Sequence, residues 1–179
     1  MMNKDIQEVV FSQEELDTMV CRIAEKINAD FADKEILLVG LLKGSVVFIT
    51  DLMRKIKVPC SIDFMSVSSY GKSTKSSGVV NVKMDLSEEI EGKNVLIVGD
   101  IIDSGNTLSA VLELLESRKP ASLKLVSLLS KPSRREKEVT IDYLGSEIDD
   151  LFVVGYGLDF AEKYRNLPYI GVLKPEVYL

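Results

Sequence analysis

The 179 residues carry 22 Lys and Arg against 28 Asp and Glu, for a formal net charge of −6, with 46% hydrophobic residues and no histidine. That length and hydrophobic content suit one acidic, soluble domain spanning residues 1–179, and the missing imidazole excludes Ser-His-Asp and Cys-His catalysis and two-His zinc sites. The acidity argues against nucleic acid or an anionic membrane as partner, and no apolar run approaches the ~18 residues needed to span a bilayer.

Ser12 and Glu15 have capping-box spacing, and Leu16, Met19, Val20, Ile23 and Ile27 recur at helical period, which predicts an amphipathic helix. Cys21 and Cys60 show neither CxxC nor metal spacing. They read as packing residues in a protein of a reducing compartment, with the cytoplasm as the expected address. The apolar run Ile36 to Val39 predicts a strand, Lys43-Gly44-Ser45 a turn, and Val46, Val47, Phe48, Ile49 and Leu52 a second helix.

Strands are then expected over Ile62 to Val67 and Val79 to Met84, separated by a polar excursion from Ser68 to Gly78. Val95 to Val98 reads as a buried strand, and Leu108, Val111, Leu112 and Leu115 mark a helix after the turn Gly99 to Thr107. Further strands are expected over Leu123 to Leu129 and Leu151 to Val154. Glu136 and Glu138 break the basic stretch around Lys131 to Lys137, which reads as a solvated connection. Strands alternating with helices imply an α/β fold with a mostly parallel central sheet flanked by helices, its ligand site outside the carboxyl ends of the strands.

The turn Gly99-Asp100-Ile101-Ile102-Asp103-Ser104-Gly105-Asn106-Thr107 has the character of an anion cradle. A helix N-terminus offers unpaired N–H groups, Gly105 permits close approach, and Ser104 and Thr107 add hydroxyls. Asp100 and Asp103 would repel a phosphate directly, so they suit an adjacent sugar, a metal ion or a moving proton. Spacing alone is equally compatible with a plain helix cap beside loop acids. Walker A, GxGxxG and EF-hand patterns do not fit.

The segment VLIVGDIIDSGNTL, Val95 to Leu108, resembles the phosphoribosyl diphosphate motif of the type I phosphoribosyltransferases. Four further segments are similar to the hypoxanthine-guanine branch. They are Leu42-Lys43-Gly44, Ser68-Ser69-Tyr70-Gly71, Lys131-Pro132, and Phe152 to Asp159 followed by Arg165. The resemblance covers most of the chain. It implies a central sheet with a small hood and a flexible loop, and purine salvage. In that reaction a 5-phosphoribosyl group passes from its diphosphate to N9 of hypoxanthine or guanine, with Mg²⁺ as cofactor.

The resemblance also implies roles. Ser104, Gly105, Asn106 and Thr107 would hold the 5′-phosphate, Asp100 the ribose hydroxyls, and Asp103 would serve as general acid/base near N7. Leu42, Lys43, Gly44 and Arg165 would meet diphosphate, with a cis peptide between Leu42 and Lys43. Lys131 would donate to O6, Phe152 would stack on the purine, and the backbone of Val153 would read its pyrimidine edge. Asp159 would lie at the purine end and, with Asp100, serve Mg²⁺. Ser69 and Tyr70 would open the flexible loop.

A homodimer or homotetramer is implied, with no nucleic acid or membrane partner. The chain departs from the family pattern at Gly99, where an acid usually precedes Asp100, and at Asn106, a position often apolar. Two other functions remain open on the same fold: a nucleotide-sensing regulator, and a transferase preferring xanthine or a pyrimidine.

Overall fold

The computed structural model describes residues 2–68 and 80–179. In chain order the elements are β1 (Ile6–Phe11), α1 (Gln13–Asp30), β2 (Ile36–Leu41), α2 (Val46–Met53), β3 (Cys60–Ser68) and β4 (Asn81–Met84). They continue with β5 (Asn94–Ile102), α3 (Asn106–Glu116), β6 (Ser122–Ser130), β7 (Tyr143–Glu147), β8 (Val153–Val154), β9 (Ile170–Leu173) and α4 (Pro175–Tyr178).

Six strands form the central sheet in the order β4-β3-β2-β5-β6-β7. All neighbours run parallel except β4, which is antiparallel to β3. From β2 the chain builds outward through β3 and β4, then crosses back to lay β5, β6 and β7 on the other side. The order therefore reverses between β2 and β5, and a crevice opens beyond their carboxyl ends. A separate antiparallel sheet, β1-β9-β8, stands as the hood.

Alternation along the central strands feeds two cores. Leu38, Leu96 and Val98 pack with Leu16 and Ile23 of α1, Phe48 of α2, and Val153 and Val172 of the hood. Leu37, Val39, Val95 and Ile97 face the other way, against Leu108, Val111 and Leu115 of α3. Both faces being covered explains why β2 and β5 read as continuous apolar runs. The α1 capping box forms as expected, with Glu15 N–H donating to Ser12 Oγ at 3.2 Å and Ser12 N–H to Glu15 Oε2 at 2.8 Å.

Three strands go beyond the sequence reading. β1 is mostly exposed, with charged Glu8 inside it; β7 contains Gly145; and β9 has four residues between Pro168 and Pro175. β1 and β7 lack the alternating or unbroken apolar run that marks a strand, and β9, though buried, is too short to stand out. The expected strand Leu151 to Val154 contracts to β8 and belongs to the hood, while β5 extends through Asp100 to Ile102, shortening the turn before α3.

Both cysteines are free. Cys60 packs half-buried against the α1 core, and burial pushes its thiol pKa up. Cys21 departs from the packing expectation: it follows Val20, lies off the buried stripe of α1, and its Sγ faces Asp17 Oδ2 at 4.0 Å. Among the described residues no helix is long and apolar enough to cross a membrane.

Candidate active site

The crevice between β2 and β5 holds a cavity of about 290 Å³ lined by Leu42, Gly44, Asp100, Asp103, Gly105 and Thr107, among others. A larger cavity of about 950 Å³, between α1, α2 and the 165–168 segment, is lined by Arg165 but by none of the other expected site residues. The residues of the Leu42-Lys43-Gly44 turn and of the Gly99 to Thr107 turn thus meet at the smaller space, at the place where the strand order predicts a ligand.

After β2 the chain turns through a cis peptide between Leu42 and Lys43, the bond implied by the resemblance. Gly44 lets the Asp100 carboxylate close over this loop, since a Cβ on Gly44 would lie 1.6 Å from Asp100 Oδ2. Burial raises the Asp100 carboxyl above its ordinary pKa. Asp103 adds to that rise, while backbone N–H groups of Ile101 and Asp100 and the charge of Arg165 oppose it.

Gly105 sits at the N-cap of α3 with φ of 81° and provides no side-chain cap. A Cβ here would lie 2.2 Å from Lys137 O, so both the left-handed backbone and the close approach require glycine. The Ser104 carbonyl accepts from the N–H groups of both Glu136 and Lys137 at 2.9 Å. Asn106 Nδ2 donates to Glu136 Oε2 at 2.6 Å, so this side-chain amide is engaged by the 135–137 segment. That segment braces the back of the turn, and at the front, among the described residues, Asn106 N–H meets only the Ser104 hydroxyl, at 3.3 Å, beside an N-cap glycine that offers no side-chain acceptor, an arrangement suited to an anion.

Lys131 is buried, with 8% of its surface exposed, which is unusual for a lysine and needs charge partners. Its Nζ lies 3.6 Å from Asp103 Oδ1 and 3.8 Å from Asp150 Oδ1, and its N–H donates to Ile102 O at 2.9 Å. The acid of the turn and the lysine after β6 therefore share one end of the crevice. Phe152 remains 38% exposed just before β8, and Val153 is buried within that strand, opposite Val172.

A third group comes from the loop between β8 and β9. Asp159 pairs with Arg165, Oδ1 to Nη2 at 2.9 Å, and its Oδ2 accepts from Glu162 N–H at 2.8 Å. Arg165 Nη1 donates to Gly157 O at 2.7 Å, while its buried Nε has no hydrogen-bond partner among the described residues. Glu162 Oε2 meets Lys43 Nζ at 2.9 Å and its Oε1 meets Arg165 at 3.5 Å. The hydrogen bond from Lys43 holds Glu162 below the usual carboxylate pKa.

Two groups are additions to the sequence reading. Glu162 and Asp150 become visible only as partners of Lys43, Arg165 and Lys131; isolated loop acids carry no such signal in the sequence. Ser69 and Tyr70 lie outside the described residues. Among the described residues no three His, Cys, Asp or Glu side chains are grouped to enclose a metal ion. Asp100 and Asp159 are hard oxygen donors, and one or two carboxylates completed by substrate oxygens and water fit Mg²⁺.

A family profile described as "Phosphoribosyl transferase domain" matches residues 12–161. The chain belongs to the phosphoribosyltransferase family. It is 50% identical over 178 residues to the hypoxanthine-guanine phosphoribosyltransferase of Bacillus subtilis, covering 99% of both chains. It is 48% identical to part of the bifunctional protein TilS/HprT of Listeria monocytogenes, spanning 27% of that protein.

A crystal structure of hypoxanthine phosphoribosyltransferase from Staphylococcus aureus superposes with a TM-score of 0.96 at 48% identity, covering 99% of this chain and 97% of that one. The type I phosphoribosyltransferase fold expected from the motifs is therefore borne out, hood included. Gly99 remains a local departure from the family pattern, with open space at its Cα: a Cβ placed there meets nothing within 4 Å.

Proposed function

We propose that the protein transfers the 5-phosphoribosyl group of phosphoribosyl diphosphate to N9 of a 6-oxopurine, forming IMP or GMP and diphosphate. The observation that carries this reading is the buried Lys131 ammonium beside Asp103 at the open end of the phosphate turn. It sets an O6 donor and a proton acceptor 3.6 Å apart, as two neighbouring atoms of one purine edge require. The relatives named as hypoxanthine-guanine phosphoribosyltransferases support the same reaction class.

The 5′-phosphate sits on the N–H groups opening α3, within the turn Ser104 to Thr107, and Asp100 holds the ribose hydroxyls. As N9 forms its bond to the anomeric carbon, the bond to diphosphate breaks and the electron pair leaves with diphosphate. Asp103 takes the proton from N7, a task that falls to a carboxylate in a chain without histidine. Asp100 and Asp103 also place negative charge beside the oxocarbenium-like centre, while Lys43 and Arg165 receive the departing diphosphate. Asp159 and Asp100 hold Mg²⁺, which when bound offsets charge on that leaving group.

Lys131 has donors and no acceptor, so it satisfies an oxo group at the purine 6-position and leaves an amino group facing a like donor. Phe152 provides the stacking surface and the Val153 backbone the pyrimidine-edge contact. Gly99 leaves Asp100 to meet the ribose without the adjacent acid usual in the family. We place the reaction in the cytoplasm, on the evidence of cysteine usage, within a single domain that suits the length of the chain, and in a homodimer or homotetramer, as the motif resemblance implies.

The test is diphosphate release from phosphoribosyl diphosphate and Mg²⁺ with hypoxanthine, guanine, xanthine, adenine and uracil offered separately. Turnover of hypoxanthine or guanine with adenine inert is expected. Nucleotide binding without turnover of any base would overturn the transferase reading in favour of a sensor.

A further inference from the structure

The exposed Phe152 is not a lone ring. Tyr178 stacks on one of its faces, with ring centroids 4.7 Å apart and planes 18° from parallel. Phe160 meets both rings edge-on, at 5.7 Å and 83° to Phe152 and at 6.4 Å and 65° to Tyr178. The backbone builds this arrangement. Leu173 N–H donates to Phe152 O at 2.9 Å, so the end of β9 lies against the residue that presents the ring. Lys174 N–H is then held by Asp5 O at 2.9 Å, Pro175 starts the single turn of α4, and that turn carries Tyr178 back over Phe152.

A phenyl ring has two faces and an edge. Tyr178 covers one face of Phe152 and Phe160 stands edge-to-face with it, while Phe152 keeps 38% of its surface exposed. We infer that Tyr178 is a positioning residue for the base: it backs Phe152 from the far side and fixes the ring plane against which a purine stacks. The bound state is then a three-layer stack of purine, Phe152 and Tyr178, with Phe160 as its lateral stop. A ring held in one orientation loses less freedom on binding than one able to turn in the crevice.

The inference rests on the reading of Phe152 as the stacking partner of the purine, and the experiment separates the two. Steady-state kinetics with Mg²⁺ are compared for the wild type, Tyr178→Ala, Tyr178→Leu, Tyr178→Phe and Phe152→Ala, alongside thermal unfolding of each. Expected is a roughly 3–10-fold rise in KM for hypoxanthine in Tyr178→Ala, in line with the worth of one aromatic pair. KM for phosphoribosyl diphosphate stays within about twofold, and Tyr178→Phe restores the wild-type value because stacking needs no hydroxyl. Tyr178→Leu keeps the apolar volume that supports α4, and it too shows the raised purine KM.

If Phe152→Ala raises the purine KM and both Tyr178→Ala and Tyr178→Leu leave it unchanged or lower it, the positioning role is overturned and the base site stands. A lowered value would show that Tyr178 competes with the base for the ring. If Phe152→Ala also leaves the purine KM unchanged, the base-site reading itself falls, and this inference with it. Failure of Tyr178→Phe to restore binding overturns stacking as the cause.

Discussion

At the scale of single residues, the site concentrates opposite charges over a few ångströms, and each pair has a separable consequence. Asp103 is half-exposed and faces Lys131. Replacing it with Asn keeps the shape and removes the proton acceptor, so kcat should fall by roughly 10²–10⁴ while the affinity for nucleotide changes little. Retained turnover in Asp103→Asn, measured by diphosphate release, would remove the general-base assignment.

Glu162 acts in the opposite direction. Its carboxylate lies between Lys43 at 2.9 Å and Arg165 at 3.5 Å, the two cations that the proposed function assigns to diphosphate, and on that proposal it competes with the ligand for them. Glu162→Gln should therefore lower the inhibition constant of diphosphate and the KM for phosphoribosyl diphosphate by about two- to fivefold, the range of an exposed ion pair. Weaker binding in this variant would show that Glu162 orients the cations.

Asp103, Lys131 and Arg165 could be singled out in the sequence because they sit within ordered motifs, and the structure places Lys131 beside Asp103 and Arg165 beside Asp159. Glu162 and Asp150 could not, because a carboxylate in a loop acquires meaning only from the cation it meets across the fold.

At the scale of elements, β2, β5 and α1 were legible because burial on both faces, or on one helical stripe, writes itself as apolar run or period. β1, β7 and β9 were not: their pairing comes from hydrogen bonding to neighbours, and exposed edges, glycine and short length erase the pattern. The brace behind the phosphate turn was hidden for a related reason. The reading of Lys131 to Lys137 as a solvated connection holds for the exposed Pro132 to Arg134, fails at the buried Lys131, and missed that the backbone of Glu136 and Lys137 binds Ser104 O.

Arg118, just past the end of α3, ties that helix to the segment after β4, donating to Asp85 through Nη1 at 2.8 Å and Nη2 at 2.7 Å. The Arg118 hydrogen bonds lower the Asp85 pKa, with the N–H of Leu86 and the Arg118 charge assisting and burial opposing. A folded-state pKa below the unfolded value means the pair stabilises above the ordinary carboxylate pKa, about 3.9, and that this stabilisation is lost as pH falls through the folded pKa.

Asp85 is half-exposed, so solvent screening limits the pair to about 1 kcal/mol at most, or roughly 2–4 °C in a chain of this size. Asp85→Asn should melt lower than wild type by that amount at pH 7. The gap should narrow as pH falls below the ordinary carboxylate range and close once it has passed through the depressed folded-state pKa of Asp85. A gap independent of pH would assign the loss to packing.

At the scale of the whole molecule, one core joins the parts that the ligand must bridge. Val153, Ile170 and Val172 of the hood pack with Leu38 and Val98 of the central sheet and Leu16 of α1. Asp100, Asp103 and the phosphate turn stand on the central sheet, whereas Phe152, Asp159 and Arg165 flank β8 and the loop toward β9. On the proposed function, phosphoribosyl diphosphate with Mg²⁺ would contact both sides of a shared apolar join, and opening the join would separate the two halves of its site.

Ligand that binds only the folded state stabilises it by about 2.7 kcal/mol at 100 times its Kd, which corresponds to a rise in Tm of roughly 5–10 °C for a chain of this length. Calorimetry should show one unfolding transition in the absence of ligand, moving upward as one transition when phosphoribosyl diphosphate and Mg²⁺ are added. Asp159→Asn should reduce the shift, because it weakens the hood's share of the site while leaving the phosphate turn in place. Two transitions, with only the later one moved by ligand, would mean that the hood unfolds on its own and that the shared core is not what couples it to the site.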